Sequence, residues 1–356
     1  MSLAVRKEDL WSYSVNFAMS MDYSELFSLS LPELGRIANK LTLEKCGDLV
    51  TFVADATVNY TNVCSSKCKF CAFYAKKANE EFTLSHEEII SKVKKVVELG
   101  ATQIMLQGGL NPDLRLRWFE ELFSKLKRAF PQIHLHSLSP PEIVFLSNLE
   151  GLSYEEVLKR LKKAGLDSLP GGGAEILVDS VRRKLSPKKC SSEEWLEVMR
   201  SAHKLGIPTT ATMVFGHLES DDDILEHLLK IKELQSETNG FTAFIPWTFH
   251  PGKTELEYLG KVGASRYLRI LAISRIVLDN FRNIQASWLS QGFEVAKLAL
   301  FFGANDFGGT MFEESVIRAT GKDFRPASFE EIVNAVKSVG RRVARRDTYY
   351  NIIEFF

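Results

Sequence analysis

Val58-Asn59-Tyr60-Thr61-Asn62-Val63-Cys64-Ser65-Ser66-Lys67-Cys68-Lys69-Phe70-Cys71 runs from a β-prone stretch straight into three closely spaced thiols. The spacing is Cys-x3-Cys-x2-Cys. One short loop with thiolates at these offsets can curl around an iron–sulfur cubane and ligate three irons, leaving the fourth iron without a protein ligand. A closed zinc site is the competing reading. Such sites take four ligands and usually pair two Cys-x2-Cys units, and the chain has no second unit. Cys46, Cys190 or His86 could complete a zinc set only from a distance. A plain electron carrier would normally ligate every iron through four cysteines.

Working outward from this loop, β-prone runs recur at Val58–Asn62, Gln103–Gln107, Ile133–Ser137, Thr209–Phe215, Thr242–Thr248 and Asn283–Ala286. Each is followed by a longer amphipathic segment, the alternation that produces a parallel sheet. Capping boxes pairing Ser85 with Glu88, Ser153 with Glu156, Ser191 with Glu194 and Ser328 with Glu331 mark helix starts. Weaker strands near Ser168 and Gly303 bring the count to about eight, which closes a (β/α)8 TIM-like barrel with catalytic loops at the carboxyl ends of its strands. A doubly wound open sheet is the structural alternative. The expected α/β organisation is a helical amino-terminal extension (1–48), the barrel (49–325) and a helical carboxyl-terminal segment (326–356).

Composition narrows the function. Lys+Arg and Asp+Glu are both 45, so no positive excess favours nucleic acid or an anionic membrane. No stretch approaches the ~18 apolar residues of a membrane span. Met1–Trp11 carries Arg6, Lys7, Glu8 and Asp9 and does not read as a signal peptide. Five cysteines, an odd number, suit a reducing cytoplasmic setting better than a disulfide framework.

Cys64-x3-Cys68-x2-Cys71, with the aromatic Phe70 before the last thiol, resembles the signature of the radical S-adenosylmethionine (SAM) superfamily. The resemblance implies a [4Fe-4S] cluster whose open iron is chelated by SAM, with Phe70 beside the adenine. It implies that one-electron cleavage of SAM yields a radical that takes hydrogen from a substrate enclosed by the barrel. Gln107-Gly108-Gly109-Leu110 lies where the superfamily usually has Gly-Gly-Glu to hold the methionine amino group. The glutamate is absent here, so only Gly108 and Gly109 carry over. Glu175, in Pro170-Gly171-Gly172-Gly173-Ala174-Glu175, is the resemblance's candidate for the SAM ribose hydroxyls. Arg182 is the candidate cation for the methionine carboxylate, and Val214 lies in the region that brackets adenine.

Three further stretches, 243–251, 285–288 and 303–314, resemble the cyclic dehypoxanthine futalosine synthases of menaquinone biosynthesis. His250 and Lys253 stand where that family more often has Gln and Asn. The sister aminofutalosine synthases and deazaflavin (FO) synthases are the alternatives. The resemblance implies abstraction of a ribose C4′ hydrogen, attack of the sugar radical on a benzoate ring, and loss of an electron and a proton. It also implies a small flavodoxin or ferredoxin as reductant. Trp247, Thr248, His250, Gln285, Ser287 and Asp306 are the candidate substrate residues. Asp306, His217 and Glu313 are the candidate catalytic residues, with Glu314 and His250 also in view. Local structure offers alternatives: an Asx-turn for Asp306, and an N-terminal helix turn for Glu313 and Glu314.

Overall fold

A computed structural model describes residues 22–356. The expectations for Met1–Trp11 and for the opening of the extension lie outside the described residues. Within them, β1 (Leu49–Val53) runs through Ala54 into β2 (Asp55–Asn59). The segment Leu49-Val-Thr-Phe-Val-Ala-Asp-Ala-Thr-Val-Asn59 is rich in β-branched residues. Apart from Leu49 it is buried throughout, as expected of a parallel strand enclosed by helices.

Parallel pairing then proceeds around a ring. β2 pairs β3 (Gln103–Gln107), which pairs β4 (His134–Leu135). Ser168 and Leu169 bridge His136 to Thr209 in place of a full fourth strand. β5 (Thr209–Phe215) pairs β6 (Phe241–Thr248), and β6 pairs β7 (Asn283–Ile284). β8 (Asp306–Gly309) bridges back to Gln285 and pairs β1, so the barrel closes. The open-sheet alternative is thereby excluded. β3 and β5 have the expected bounds; the first strand instead stops at Asn59, and the eighth begins at Asp306, three residues beyond Gly303.

All four expected capping boxes are formed, each with serine and glutamate bonded reciprocally. The helix Leu116–Ala129 shows how the outer ring attaches: Leu116, Phe119, Leu122, Phe123 and Leu126 are buried on one face, the i, i+3, i+4 stripe of a core-facing helix.

The carboxyl-terminal segment departs from expectation. Only Phe329–Lys337 is helical; the rest forms β9 (Arg342–Arg346) and β10 (Ile352–Phe355). β9 pairs parallel with β1 and carries Arg346 into the barrel floor. There its guanidinium meets Asp306 twice, at 2.6 and 3.1 Å, while Thr51 donates to the same carboxylate at 2.6 Å. Gly308 N–H donates to Asp306 Oδ1 at 2.9 Å, completing the Asx-turn. Burial works against the charge on Arg346, but Asp306 outweighs it and holds the guanidinium pKa above normal. Asp306→Ala leaves this cation buried and uncompensated, and is expected to lower unfolding stability by about 3–5 kcal/mol, read from urea denaturation.

Candidate active site

The cysteine loop leaves the top of β2 and is pinned by its backbone. Gly109 N–H donates to Thr61 O at 2.9 Å, Ser65 N–H to Leu110 O at 3.0 Å and Lys69 N–H to Leu185 O at 2.9 Å. Lys67 takes a left-handed φ of 47° at the bend between Cys64 and Cys68. Cys68 is buried, whereas Cys64 and Cys71 are half-buried. All three line one cavity together with Phe70, Gly108, Gly109 and Glu175. The remaining thiols are elsewhere: Cys46 Sγ sits 3.3 Å from Arg282 O, and Cys190 Sγ 3.6 Å from Arg182.

The donor set therefore fits a cubane with one open iron and does not fit closed zinc. Among the described residues, no three His, Cys, Asp or Glu side chains converge as a single ion requires. The glycine pair makes the cradle possible. A Cβ on Gly108 would stand 2.6 Å from the Tyr60 ring, and one on Gly109 would stand 2.1 Å from Val63 O. Only a bare backbone passes this close.

Two charged groups of this cavity were not foreseen. Glu142, near the start of the helix Pro140–Glu150, reaches back under the glycines. Its carboxylate accepts from Tyr60 Oη at 2.5 Å, from Gly108 N–H at 3.3 Å and from Ser139 Oγ. Burial pushes its carboxyl up to about 7. Ser139-Pro140-Pro141-Glu142 is spelled like a capping box, yet no side-chain cap bond forms, and Glu142 is turned to Tyr60 and Gly108 instead. Lys189 lies 3.0 Å from Glu175 Oε1 and 5.3 Å from the centre of the Phe70 ring. Burial opposes its charge, but Glu175 and Cys68 hold its pKa above normal. Nothing in the run Lys188-Lys189-Cys190 singled it out.

Arg182 is placed differently from expectation. It does not line the cavity. Its guanidinium donates to the carbonyls of Ala174 at 2.6 Å, Gly173 at 3.2 Å and Cys190 at 2.7 Å. It braces the turn that presents Glu175, itself held at a left-handed φ of 40°.

A second cavity continues inward and shares Phe70, Cys71, Gln107, Gly172, Gly173 and Val316 with the first. Alternate residues of the strands form its wall: Thr57, Met105, Thr210, Thr212, Val214, Ile245 and Trp247. Thr248, Phe249 and His250 complete the β6 side. Val214, Trp247, Thr248 and His250 thus lie together, as expected of a common site.

Gln285, Ser287, Trp288, His217, Glu313 and Asp306 do not line this cavity. Asp306 is committed to Arg346 in the floor, beside Thr51, six residues before the cavity-lining Thr57 on the same strand run. Glu313 points to Lys92 at 2.6 Å. His217 Nδ1 stands 2.8 Å from Glu219, and its Nε2 is buried without a partner among the described residues. The expectation that Asp306, His217 and Glu313 face substrate is corrected by these contacts. The neighbouring Glu314 does face the cavity. It accepts from Val316 and Ile317 N–H at 2.7 and 2.9 Å, and burial raises its pKa. Burial lowers the pKa of His250, whose Nε2 contacts Ser290 O at 3.0 Å.

Comparison with known proteins agrees with this construction. Residues 58–231 match the radical SAM superfamily, and residues 238–355 match the CofH/MqnC C-terminal region. The chain is 41% identical to cyclic dehypoxanthine futalosine synthase of Halalkalibacterium halodurans, over 91% of this chain and 88% of that one. It is 42% identical to 5-amino-6-(D-ribitylamino)uracil–L-tyrosine 4-hydroxyphenyl transferase of Archaeoglobus fulgidus, over 90% of this chain and 94% of that one. In fold it resembles the crystal structure of methylornithine synthase (PylB), with a TM-score of 0.72 and 20% identity over 94% of this chain and 97% of that one. The chain belongs to the radical SAM superfamily, in the branch that contains these two relatives, and is a radical SAM enzyme whose cofactors are a [4Fe-4S] cluster and SAM.

Proposed function

We propose that this enzyme is a cyclic dehypoxanthine futalosine synthase, closing a carbon–carbon bond within one substrate. The observation that carries this reading is the inner cavity. Its wall is aromatic and aliphatic at Trp247, Phe249, Met105, Ile245, Leu289 and Met311, with hydroxyls at Thr57, Thr210, Thr212, Thr248 and Thr320. An aromatic acid joined to a sugar matches such a surface, rings against the apolar wall and hydroxyls against the threonines.

When bound, the cluster and SAM supply abstraction of a hydrogen atom from an unactivated carbon. The chain's own residues do the rest. Cys64, Cys68 and Cys71 would hold the cluster, Phe70 and Val214 would receive the adenine, and Glu175 with Lys189 would hold the polar end of SAM. The barrel excludes water, and positioning is what ring closure chiefly needs. Glu314 and His250 are the titratable groups placed to take the final proton.

Glu142 is proposed to accept from the SAM amino group in place of the glutamate missing after Gly108-Gly109. Below about pH 7 its carboxyl is protonated and neutral; above, it is an anion and the stronger acceptor for the amino hydrogens. SAM affinity should therefore rise as pH rises through about 7. Glu142→Gln should bind SAM about 10- to 100-fold more weakly above pH 7, as expected on losing a charge-assisted hydrogen bond, with a flat pH profile. Equilibrium SAM titration checks both; unchanged affinity would return Glu142 to a purely structural role.

The 42% identity to the A. fulgidus transferase supports a second reading, transfer of a 4-hydroxyphenyl group between tyrosine and a ribitylaminouracil. Anaerobic assays with each substrate set separate them. A product two hydrogens lighter than dehypoxanthine futalosine, formed with 5′-deoxyadenosine, supports the cyclase. SAM cleavage only with tyrosine and the ribitylaminouracil would replace it.

A further inference from the structure

Between Thr61 and Glu80 the chain has four lysines and no acidic residue; between Asp179 and Glu193 it has five basic residues and again no acid. The fold brings these two stretches together, joined by the hydrogen bond from Lys69 N–H to Leu185 O at 2.9 Å. Lys67, Lys69, Lys76 and Lys77 of the first stretch are exposed, as are Arg183, Lys184 and Lys188 of the second. Arg182 and Lys189 turn inward and brace the SAM cavity.

None of the seven exposed groups takes part in an ion pair among the described residues; Lys76 Nζ donates only to the carbonyl of Lys253, itself exposed. Elsewhere this electrically neutral chain pairs its surface cations freely, as in Arg115–Glu150, Arg160–Glu120 and Arg200–Glu237. Two acids border the patch: Glu80 Oε2 accepts from Lys76 N–H at 3.3 Å, and Glu255 N–H donates to Lys69 O at 3.1 Å. Unpaired like charges repel, so a concentration of them on one face is unfavourable for the free protein and favours an anionic partner.

The patch surrounds the loop that bears Cys64, Cys68 and Cys71. Electron transfer falls steeply with distance, and this loop brings the cluster ligands to the surface: Cys64 and Cys71 are half-buried, and Ser65, Lys67 and Lys69 between them are exposed. We infer that this basic rim is the docking surface for an acidic one-electron carrier protein that reduces the cluster. One electron passes from the partner's reduced flavin or iron–sulfur centre to the cluster, the partner is oxidised by one electron, and no bond forms or breaks at the surface. The inference rests on membership of the superfamily and not on which substrate is cyclised.

The test uses the cluster-loaded enzyme and reduced flavodoxin as the probe, with cluster bleaching followed by stopped-flow absorbance. For the unaltered protein, the second-order rate should fall at least about tenfold between low and high ionic strength, as screening removes electrostatic steering. The triple variant Lys77→Glu, Lys184→Glu, Lys188→Glu should be slower by a similar factor at low salt. Calorimetric affinity for oxidised flavodoxin should weaken in parallel, a readout independent of turnover. Reduction by dithionite should match the unaltered enzyme within about twofold, since a small dianion needs no docking face. A salt-independent flavodoxin rate overturns the inference, as does an unchanged rate in the variant. An equal loss with dithionite would also overturn it, by showing that the lysines support the loop itself. Binding of a DNA duplex as tight as that of flavodoxin would make the face a general polyanion surface.

Discussion

Cys68→Ser enzyme is expected to fold, to bind less iron and to lose SAM cleavage by about a thousandfold or more, because an incomplete cluster offers SAM no competent iron. Cys68 is the most enclosed of the three thiols, and its sulfur stands 3.2 Å from Ser66 Oγ. A serine fits the space but brings a hard, weakly acidic hydroxyl where a soft thiolate is required. Folding should survive because the loop is anchored by backbone hydrogen bonds at Ser65, Lys69 and Cys71, none of which uses the thiol. Iron content, the optical spectrum and 5′-deoxyadenosine formation are the measurements. Full turnover with an intact cluster spectrum would remove Cys68 from the ligand set.

Gly109→Ala should come next in size, with a fall of about a hundredfold in SAM cleavage while the barrel stays folded. The added methyl would lie 2.1 Å from Val63 O, 2.7 Å from Val63 C and 2.9 Å from Cys64 Cβ. These are backbone and ligand-loop atoms, so no flexible side chain can swing away. The loop itself must shift, by something near an ångström, and misplacement on that scale is enough for a loss of roughly two orders of magnitude. Gly263→Ala is the control, since a methyl there meets nothing within 4 Å. Equal activity of the two variants would mean that the loop tolerates displacement.

What could be read from the chain, and what could not, divides by distance along it. The cluster loop needs only eight consecutive residues, Cys64–Cys71, so its chemistry is written in local spacing. The capping boxes are likewise four-residue devices, and each serine named from sequence caps its helix. β3 and β5 are legible because a run of apolar and β-branched residues buried on both faces has no competing local use. The residues of the SAM cavity are harder. Glu142 acts 34 positions from Gly108, where its oxygen meets the glycine N–H. Lys189 is distinguishable from Lys188 only by its burial against Glu175 and Phe70.

The sharpest case is Asp306. Its sequence setting, Gly303-Ala304-Asn305-Asp306, marked it as a residue of the chemistry, yet a cation 40 positions later occupies its carboxylate. The segment that delivers this cation, Arg341-Arg342-Val343-Ala344-Arg345-Arg346, lies in the stretch 326–356 that was expected to be helical. It is a strand only because β1 offers a free edge and Asp306 offers a countercharge inside the floor. By itself the sequence determined the cluster loop and the α/β rhythm, since each depends on neighbours within a few bonds or one helical turn; SAM followed from the family resemblance that the loop carries. Only the tertiary structure decided which carboxylates face SAM or substrate and which are spent on the barrel, because the energy of a buried charge depends on partners that the chain brings from far away.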